Sequence, residues 1–339
     1  MKRQGLFGAM TAGVLVASPC ATVLAGDLFD KELFTVTKDG KVGYIDDDGE
    51  IQIKPQYDTA DPFQDGLARV EMGGQWGFID TSGKLVINPQ FESAWNFSDG
   101  LAVVEVDDKY GYIDKKGEFV IKPRFENAWH VSDGLARVEV DDKQGFINAK
   151  GETVIEPQFD EAGDFHEGRA WVRTGGTFDH KYGFIDKKGE MVITPKYENV
   201  AAFAGGLAAV EHDGQWGYIN QSGEMVIEAR YKKAGSFHQG LAAVSVGGKY
   251  GFINGKGELV INPRFKEAGY FADGLAPVKL DDKWGYVNKE GELVIKPQFS
   301  DAKSFDRGLA HVNLGGVLGF GAESGYIDTD GKYVWQPNQ

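Results

Sequence analysis

A glycine returns along this chain at Gly43, Gly77, Gly111, Gly145, Gly183, Gly217, Gly251, Gly285 and Gly325, in steps of 34, 34, 34, 38, 34, 34, 34 and 40 residues. A second series, the glycine of "GLA" or "GRA", keeps phase with it through Gly66, Gly100, Gly134, Gly168, Gly206, Gly240, Gly274 and Gly308. A fixed period in the range of about 20–50 residues means stacked supersecondary units, none of which buries its apolar face alone. Nine units run from about Leu33 to Pro337 of 339 residues, so there is room for little else.

Each unit contains three short runs rich in β-branched and aromatic residues. In the third unit they are "GLAVVEV" (Gly100 to Val106), "YGYID" (Tyr110 to Asp114) and "EFVIKP" (Glu118 to Pro123). Turns bound these runs, and no window shows a helical apolar period. The position of Asp114 is Asp or Asn in every unit, with a glycine three residues later. A short polar side chain bonds the backbone inside a tight turn, and glycine accepts the positive φ that closes it. Turn geometry therefore accounts for Asp46, Asp47 and Asp48, whose spacing is wrong for a helix–loop–helix calcium loop.

The runs "YGYI", "FVI" and "LAVV" do not alternate between apolar and polar, so these sheets are expected to be covered on both faces by their neighbours. The expected fold is all-β: nine tandem three-stranded antiparallel meanders in a propeller-like toroid. The alternative is an open β-solenoid or superhelix.

The marker glycine often follows an aromatic residue: Trp76, Tyr110, Tyr182, Trp216, Tyr250 and Trp284. Units such as "QWGFIDTSGKLVINPQFESAWNFSDGLAVV" resemble the WG repeat, also called KWG, of bacterial proteins. Val42, Gln144 and Ser324 depart from the pattern at the aromatic position. The resemblance implies a module that binds or scaffolds, with no shared catalytic residue to carry over.

The first residues differ from the rest. Lys2 and Arg3 precede an apolar run, and Val23 and Ala25 suit the positions three and one before a cleavage site. The expected organisation is a signal peptide over residues 1–25 and one β domain over 26–339, with a periplasmic or secreted product. An uncleaved anchor is the alternative, although the apolar run is short of the roughly 20 residues a span needs. Cys20 is the single cysteine, so cleavage leaves no thiol for a disulfide, nucleophile or metal site. The formal net charge of −15 becomes −17 without Lys2 and Arg3, which disfavours nucleic acid and anionic lipid as partners.

No catalytic or metal motif stands out: no HExxH, no GxSxG elbow and no phosphate-binding glycine loop. No cofactor is expected. Positions that differ between units are the ones free to serve a ligand. After the third run, two neighbouring positions read Asp61–Pro62, Trp95–Asn96, Trp129–His130, Gly163–Asp164, Ala201–Ala202, Gly235–Ser236, Gly269–Tyr270 and Lys303–Ser304. Equivalent residues of packed sheets repeat at roughly 10 Å. Trp95 and Trp129 are thus expected side by side on one rim, with Asn96, His130 and Arg69 or Arg137 nearby, forming a sugar or peptide site. The alternative is that both indoles plug gaps between units. A further variable register reads Arg69, Val103, Arg137, Arg173, Ala209, Ala243, Pro277 and His311, and its arginines Arg69, Arg137 and Arg173 are expected to form an anion-binding stripe or to pair with the neighbouring Glu71 and Glu139. The expected function is an exported, non-catalytic binding or scaffold protein whose ligand is a protein partner or a cell-envelope glycan or peptide. The alternatives are a hydrolase-type enzyme with a site assembled across repeats and a purely structural envelope protein.

Overall fold

Every repeat folds into its own small antiparallel sheet in the computed structural model, which describes residues 32–176, 179–315 and 324–336. The expected signal peptide lies outside the described residues. Among the described residues there is no helix, and so none long and apolar enough to cross a membrane. The nine sheets, called blades 1 to 9 here, occupy residues 34–57, 59–91, 93–125, 127–159, 161–197, 199–231, 233–265, 267–299 and 301–335.

Blade 2 shows the common plan. Its strands Thr59–Ala60, Leu67–Met72, Gln75–Asp80 and Leu85–Phe91 are hydrogen-bonded in that order. The last three are the expected meander. The first comes from the connecting segment, which adds a short strand to eight of the nine sheets; the first sheet has three strands.

The glycine of the second strand is required because the third strand lies across it. A Cβ on Gly77 would stand 2.6 Å from the Ile87 carbonyl oxygen and 2.6 Å from the Pro89 nitrogen. The register shows why. Trp76 faces Phe91 and Phe78 faces Ile87, so four residues of the third strand span two of the second. Such a bulge bends the strand over its partner, and only a residue without a side chain fits beneath.

The hairpin glycine does a second job. Asp80 Oδ1 accepts the N–H groups of Ser82 at 3.0 Å and Lys84 at 3.1 Å, and Gly83 closes the turn at φ +81°. A Cβ on Gly83 would meet Ile53 of the preceding blade at 3.2 Å, so the turn is also a blade-to-blade contact. The same contact recurs between Gly117 and Ile87, and between Gly151 and Ile121. For Gly49 of blade 1 the neighbour is Val334 of blade 9.

That last contact closes the ring. Phe34 and Tyr326 pack at 5.6 Å between centroids, and Tyr326 Oη donates to the Thr35 carbonyl at 3.0 Å. Arg307 pairs with Glu32, and Phe34, Val36, Ile45, Leu309 and Trp335 form one apolar cluster. The molecule is a nine-bladed β-propeller, the closed form of the two architectures the repeats allow.

The core lies between blades. A buried Tyr or Phe on most second strands meets a Phe of the next blade: Tyr44 with Phe63, Phe78 with Phe97, Phe146 with Phe165 and Phe252 with Phe271, at 4.8 to 4.9 Å. Pairs of this kind add about 0.5–1.5 kcal/mol beyond their burial. At the junction of blades 3 and 4 the pattern breaks, and Tyr112 packs with Val131 in one cluster.

Coverage on both faces holds for the first two strands of each meander up to their outer ends, where Met72, Val140 and Val246 are exposed. It fails at the start of the third. Val86, Phe119, Val120, Val226, Leu259 and Val294 are exposed. They belong to the free edge strand of each sheet, where cover is only partial: Phe119 still meets Phe91 of the preceding blade edge to face at 6.4 Å.

Candidate functional site

The connections between the short strand and the first strand of the meander all lie at one end of the ring. Each turns back tightly; in blade 2, Gln64 and Leu67 exchange backbone bonds at 2.9 and 3.1 Å. The turns are also tied from blade to blade. Asp65 accepts the Gly100 N–H at 2.9 Å, Asp133 that of Gly168 at 2.6 Å, and Asp273 that of Gly308 at 2.8 Å.

Buried tyrosines fix where these connections begin. Tyr44 Oη donates to the Asp61 carbonyl, and Tyr112 to that of Trp129, each at 2.8 Å. Tyr218 and Tyr286 hold the carbonyls of Gly235 and Lys303 at the same distance. Burial pushes the Tyr44, Tyr112, Tyr218 and Tyr286 phenols well above their ordinary range, so each remains a hydrogen-bond donor at any physiological pH.

On this framework the connections of blades 2, 3 and 4 enclose a cleft of about 490 Å³. Asp61, Gln64 and Arg69 of blade 2, Trp95, Asn96 and Ser98 of blade 3, and His130 of blade 4 line it. Its interior is organised around one carboxylate. Arg69 Nε donates to Asp61 Oδ2 at 2.5 Å and Asn96 Nδ2 to the same oxygen at 3.2 Å. Arg69 also donates to the Ala94 carbonyl, and its guanidinium lies 4.4 Å from the centroid of the Trp76 ring. The Asn96 Oδ1 atom is buried and meets no hydrogen-bond partner among the described residues.

Four of the six residues singled out by sequence, Trp95, Asn96, His130 and Arg69, therefore line one cleft. Trp129 and Arg137 do not line it; they stack on each other. The Arg137 guanidinium lies 3.8 Å from the Trp129 centroid, while its Nε donates to Asp164 at 3.2 Å and its Nη1 to buried Gln144 at 3.0 Å. Trp129 and His130 sit in a bulge of the strand Asn127–Ser132, where the register slips between Ala128 and Val131. His130 Nε2 stands 3.6 Å from Asp164 Oδ2.

The arginine stripe needs correction on two points. Arg173 does not share the register of Arg69 and Arg137. Trp171 does: it faces Phe184 as Arg69 faces Phe78, and Arg173 lies two residues further on, 3.3 Å from Glu161. Nor do Arg69 and Arg137 pair with Glu71 and Glu139. They turn to Asp61 and Asp164 on the connections, and Gln144 takes Glu139 instead.

Sequence comparison of units passed over Asp61 and Asp164 as anchors, and over Gln64 and Ser98. A signal was present for the last two. Their register reads Gln64, Ser98, Ser132, His166, Ala204, His238, Ala272 and Asp306, which varies as freely as the tryptophan register.

A family model described as "WG containing repeat" matches residues 43–76, 76–110, 110–143, 145–178, 182–216, 216–250, 250–284 and 284–317. No curated protein matches the chain in sequence. Solved structures similar to it include the tricorn protease, 11% identical over 89% of this chain and 44% of that one, with a TM-score of 0.29. PorZ, described as a surface component of the type-IX secretion system of Porphyromonas gingivalis, is 12% identical over 89% of this chain and 44% of that one, at 0.32. Hsv2 of Kluyveromyces lactis is 10% identical over 79% of this chain and 92% of that one, at 0.39. The chain spans less than half the length of the first two.

Proposed function

This chain belongs to the WG containing repeat family, and from that premise we propose that it is an exported, non-catalytic binding protein using the cleft of blades 2 to 4. A repeat propeller supports a binding or scaffold role in general, since its rim offers many side chains on one rigid frame. One observation carries the more specific proposal. Residues that differ from repeat to repeat, Asp61, Trp95, Asn96, His130 and Arg69, converge on a single cleft. Meanwhile the residues that repeat, such as Gly77 and Phe78, are used up in packing.

The cleft favours binding over chemistry. Its one carboxylate already accepts bonds from Arg69 and Asn96, so it is not a free base. The ligand class is a protein partner or a cell-envelope glycan or peptide, and no cofactor is invoked. Export is supported by Lys2, Arg3, the apolar run and Val23–Leu24–Ala25. N-terminal sequencing of the mature protein should then begin at Gly26; a product starting at Met1 in the cytoplasm contradicts export.

Binding is tested by immobilising the protein and its Trp95→Ala/His130→Ala variant and exposing both to a native envelope extract. The parent should retain material that the variant does not. Identical captures, or turnover of chromogenic ester, glycoside or phosphate substrates by the parent alone, contradict the proposal.

A further inference from the structure

The hydrogen-bonding groups still open in the cleft define what it can accept. Arg69 is the one permanently charged cation among the lining residues, and Asp61, the Ala94 carbonyl and the Trp76 ring already engage it. An anionic ligand therefore finds no open positive partner. A cationic ligand finds Asp61 already neutralised by Arg69.

What remains is mostly acceptors. Asp61 keeps its Oδ1, because both bonds arrive at Oδ2. Ser98 sends its hydroxyl hydrogen to the Val131 carbonyl at 2.7 Å, which leaves the Ser98 oxygen as an acceptor. His130 stands with Nε2 3.6 Å from Asp164 Oδ2, and its imidazole offers a ring nitrogen to the cleft. The exposed Gln64 amide offers both kinds of group.

Main-chain recognition of an extended peptide needs free backbone groups at a strand edge. Here the backbone N–H groups of Trp95 and Ser98 are tied to the Val103 and Leu101 carbonyls, both at 2.9 Å. Trp95 adds an indole, which suits a ring with an apolar C–H face. The cleft volume falls within the roughly 300–1,000 Å³ of small-ligand sites.

We infer that the cleft takes an uncharged polyhydroxyl ligand, a segment of saccharide, with one sugar ring on Trp95 and hydroxyls donating to Asp61 Oδ1, Ser98 Oγ and Gln64. This rests on the cleft being the binding site. Both uronic-acid or phosphorylated glycans and basic peptides are disfavoured by the balanced Asp61–Arg69 pair.

The test uses the mature protein and five probes: cellohexaose, maltohexaose, N-acetylchitohexaose, hexalysine and hexaglutamate, followed by calorimetry and tryptophan fluorescence. At least one neutral oligosaccharide should bind with a Kd below about 1 mM, the weak end of measurable affinities. Its affinity should not change between low and high salt, as expected where no net charge is neutralised. Trp95→Ala and Gln64→Ala should each weaken it, the first by at least about tenfold. Among the described residues the Gln64 amide bonds no side chain, so its variant separates binding from folding. Tyr270→Ala, an exposed change on blade 8, should leave the affinity as it was.

If none of the three neutral oligosaccharides binds, the saccharide assignment is wrong. Tighter, salt-sensitive binding of hexalysine that Trp95→Ala abolishes also overturns it, while leaving the cleft as a binding site for a basic peptide. Oligosaccharide binding that ignores both Trp95→Ala and Gln64→Ala removes the cleft itself.

Discussion

Blades 2 to 4 present Asp61, Trp95, Asn96, Trp129 and His130 at the rim where blades 6 to 8 present Ala201, Ala202, Gly235, Ser236, Gly269 and Tyr270. Beneath the rim the two regions are nearly superposable in kind. Phe78 meets Phe97 in one as Phe252 meets Phe271 in the other, both at 4.8 Å. Tyr112 holds a rim carbonyl in one as Tyr218 does in the other, both at 2.8 Å. A single packing solution therefore supports a rim furnished with a lined cleft and a barer one, where Tyr270 stacks on His238. Stability and ligand contact are written at different registers, and each can be changed without the other.

The largest effect should come from breaking the common framework. Gly111→Val drives a side chain into the Ile121 carbonyl and the Pro123 nitrogen, 2.6 and 2.7 Å from where its Cβ would stand. Gly251→Val does the same in the barer region. Both should cost more than about 4 kcal/mol in urea unfolding, and by similar amounts. A tolerant Gly111→Val would mean that the third strand does not cross there.

Next comes a contrast between two tryptophans. Trp95 is half-buried against the apolar cluster that includes Val131 and Ile121, so Trp95→Ala should cost about 1–2 kcal/mol, below the 3–5 kcal/mol of a fully buried aromatic. That is more than the negligible change expected of a purely surface pair. Trp216→Ala, which also loses a half-buried framework ring, should cost a similar amount. Only the Trp95 variant should lose ligand. Equal loss of binding in both would erase the distinction between the two regions.

A smaller effect is expected from the tyrosines that hold the rim. Tyr44→Phe and Tyr218→Phe each remove one bond, worth about 1 kcal/mol. Tyr44→Phe should also weaken binding several-fold, because Tyr44 positions Asp61; Tyr218→Phe should not, because it positions Gly235.

The smallest effect tests the closing seam, which belongs to neither region. Burial beside Tyr326 lowers the pKa of His311 below its ordinary value of 6.5, with Asp301 opposing and Lys303 assisting. The folded state then binds fewer protons than the unfolded one. The stabilising contribution is complete above about pH 6.5 and is lost as pH falls toward the lowered folded value. His311→Gln should show a shallower fall in Tm between pH 7.5 and 5.5 than the parent. Parallel pH profiles for the two would remove His311 from the seam's acid response.

The period, the sheets and the hairpin chemistry were legible in the sequence because each repeat states them again, from Asp46 and Gly49 to Asp328 and Gly331. The short extra strand was not, since two residues such as Thr59–Ala60 carry no periodicity. Crossing of the third strand over Gly77 was hidden too, because a bulge pairs residues by geometry rather than by pattern. At the rim, variation pointed to Trp95, Asn96 and His130. It could not show that Trp129 turns away to Arg137, since that depends on Asp164 and Gln144 from elsewhere in the chain. The misplaced Arg173 came from the "GRA" unit, where Trp171 fills the register and the strand's next arginine imitates it.

Hydrogen–deuterium exchange, with and without a solubilised cell-envelope extract, reads both regions in one experiment. Protection on adding the extract is expected at residues 61–69, 95–98 and 129–132, with residues 201–206, 235–240 and 269–274 unchanged. Protection centred on blades 6 to 8, or spread evenly around the ring, would contradict a binding site confined to the furnished rim.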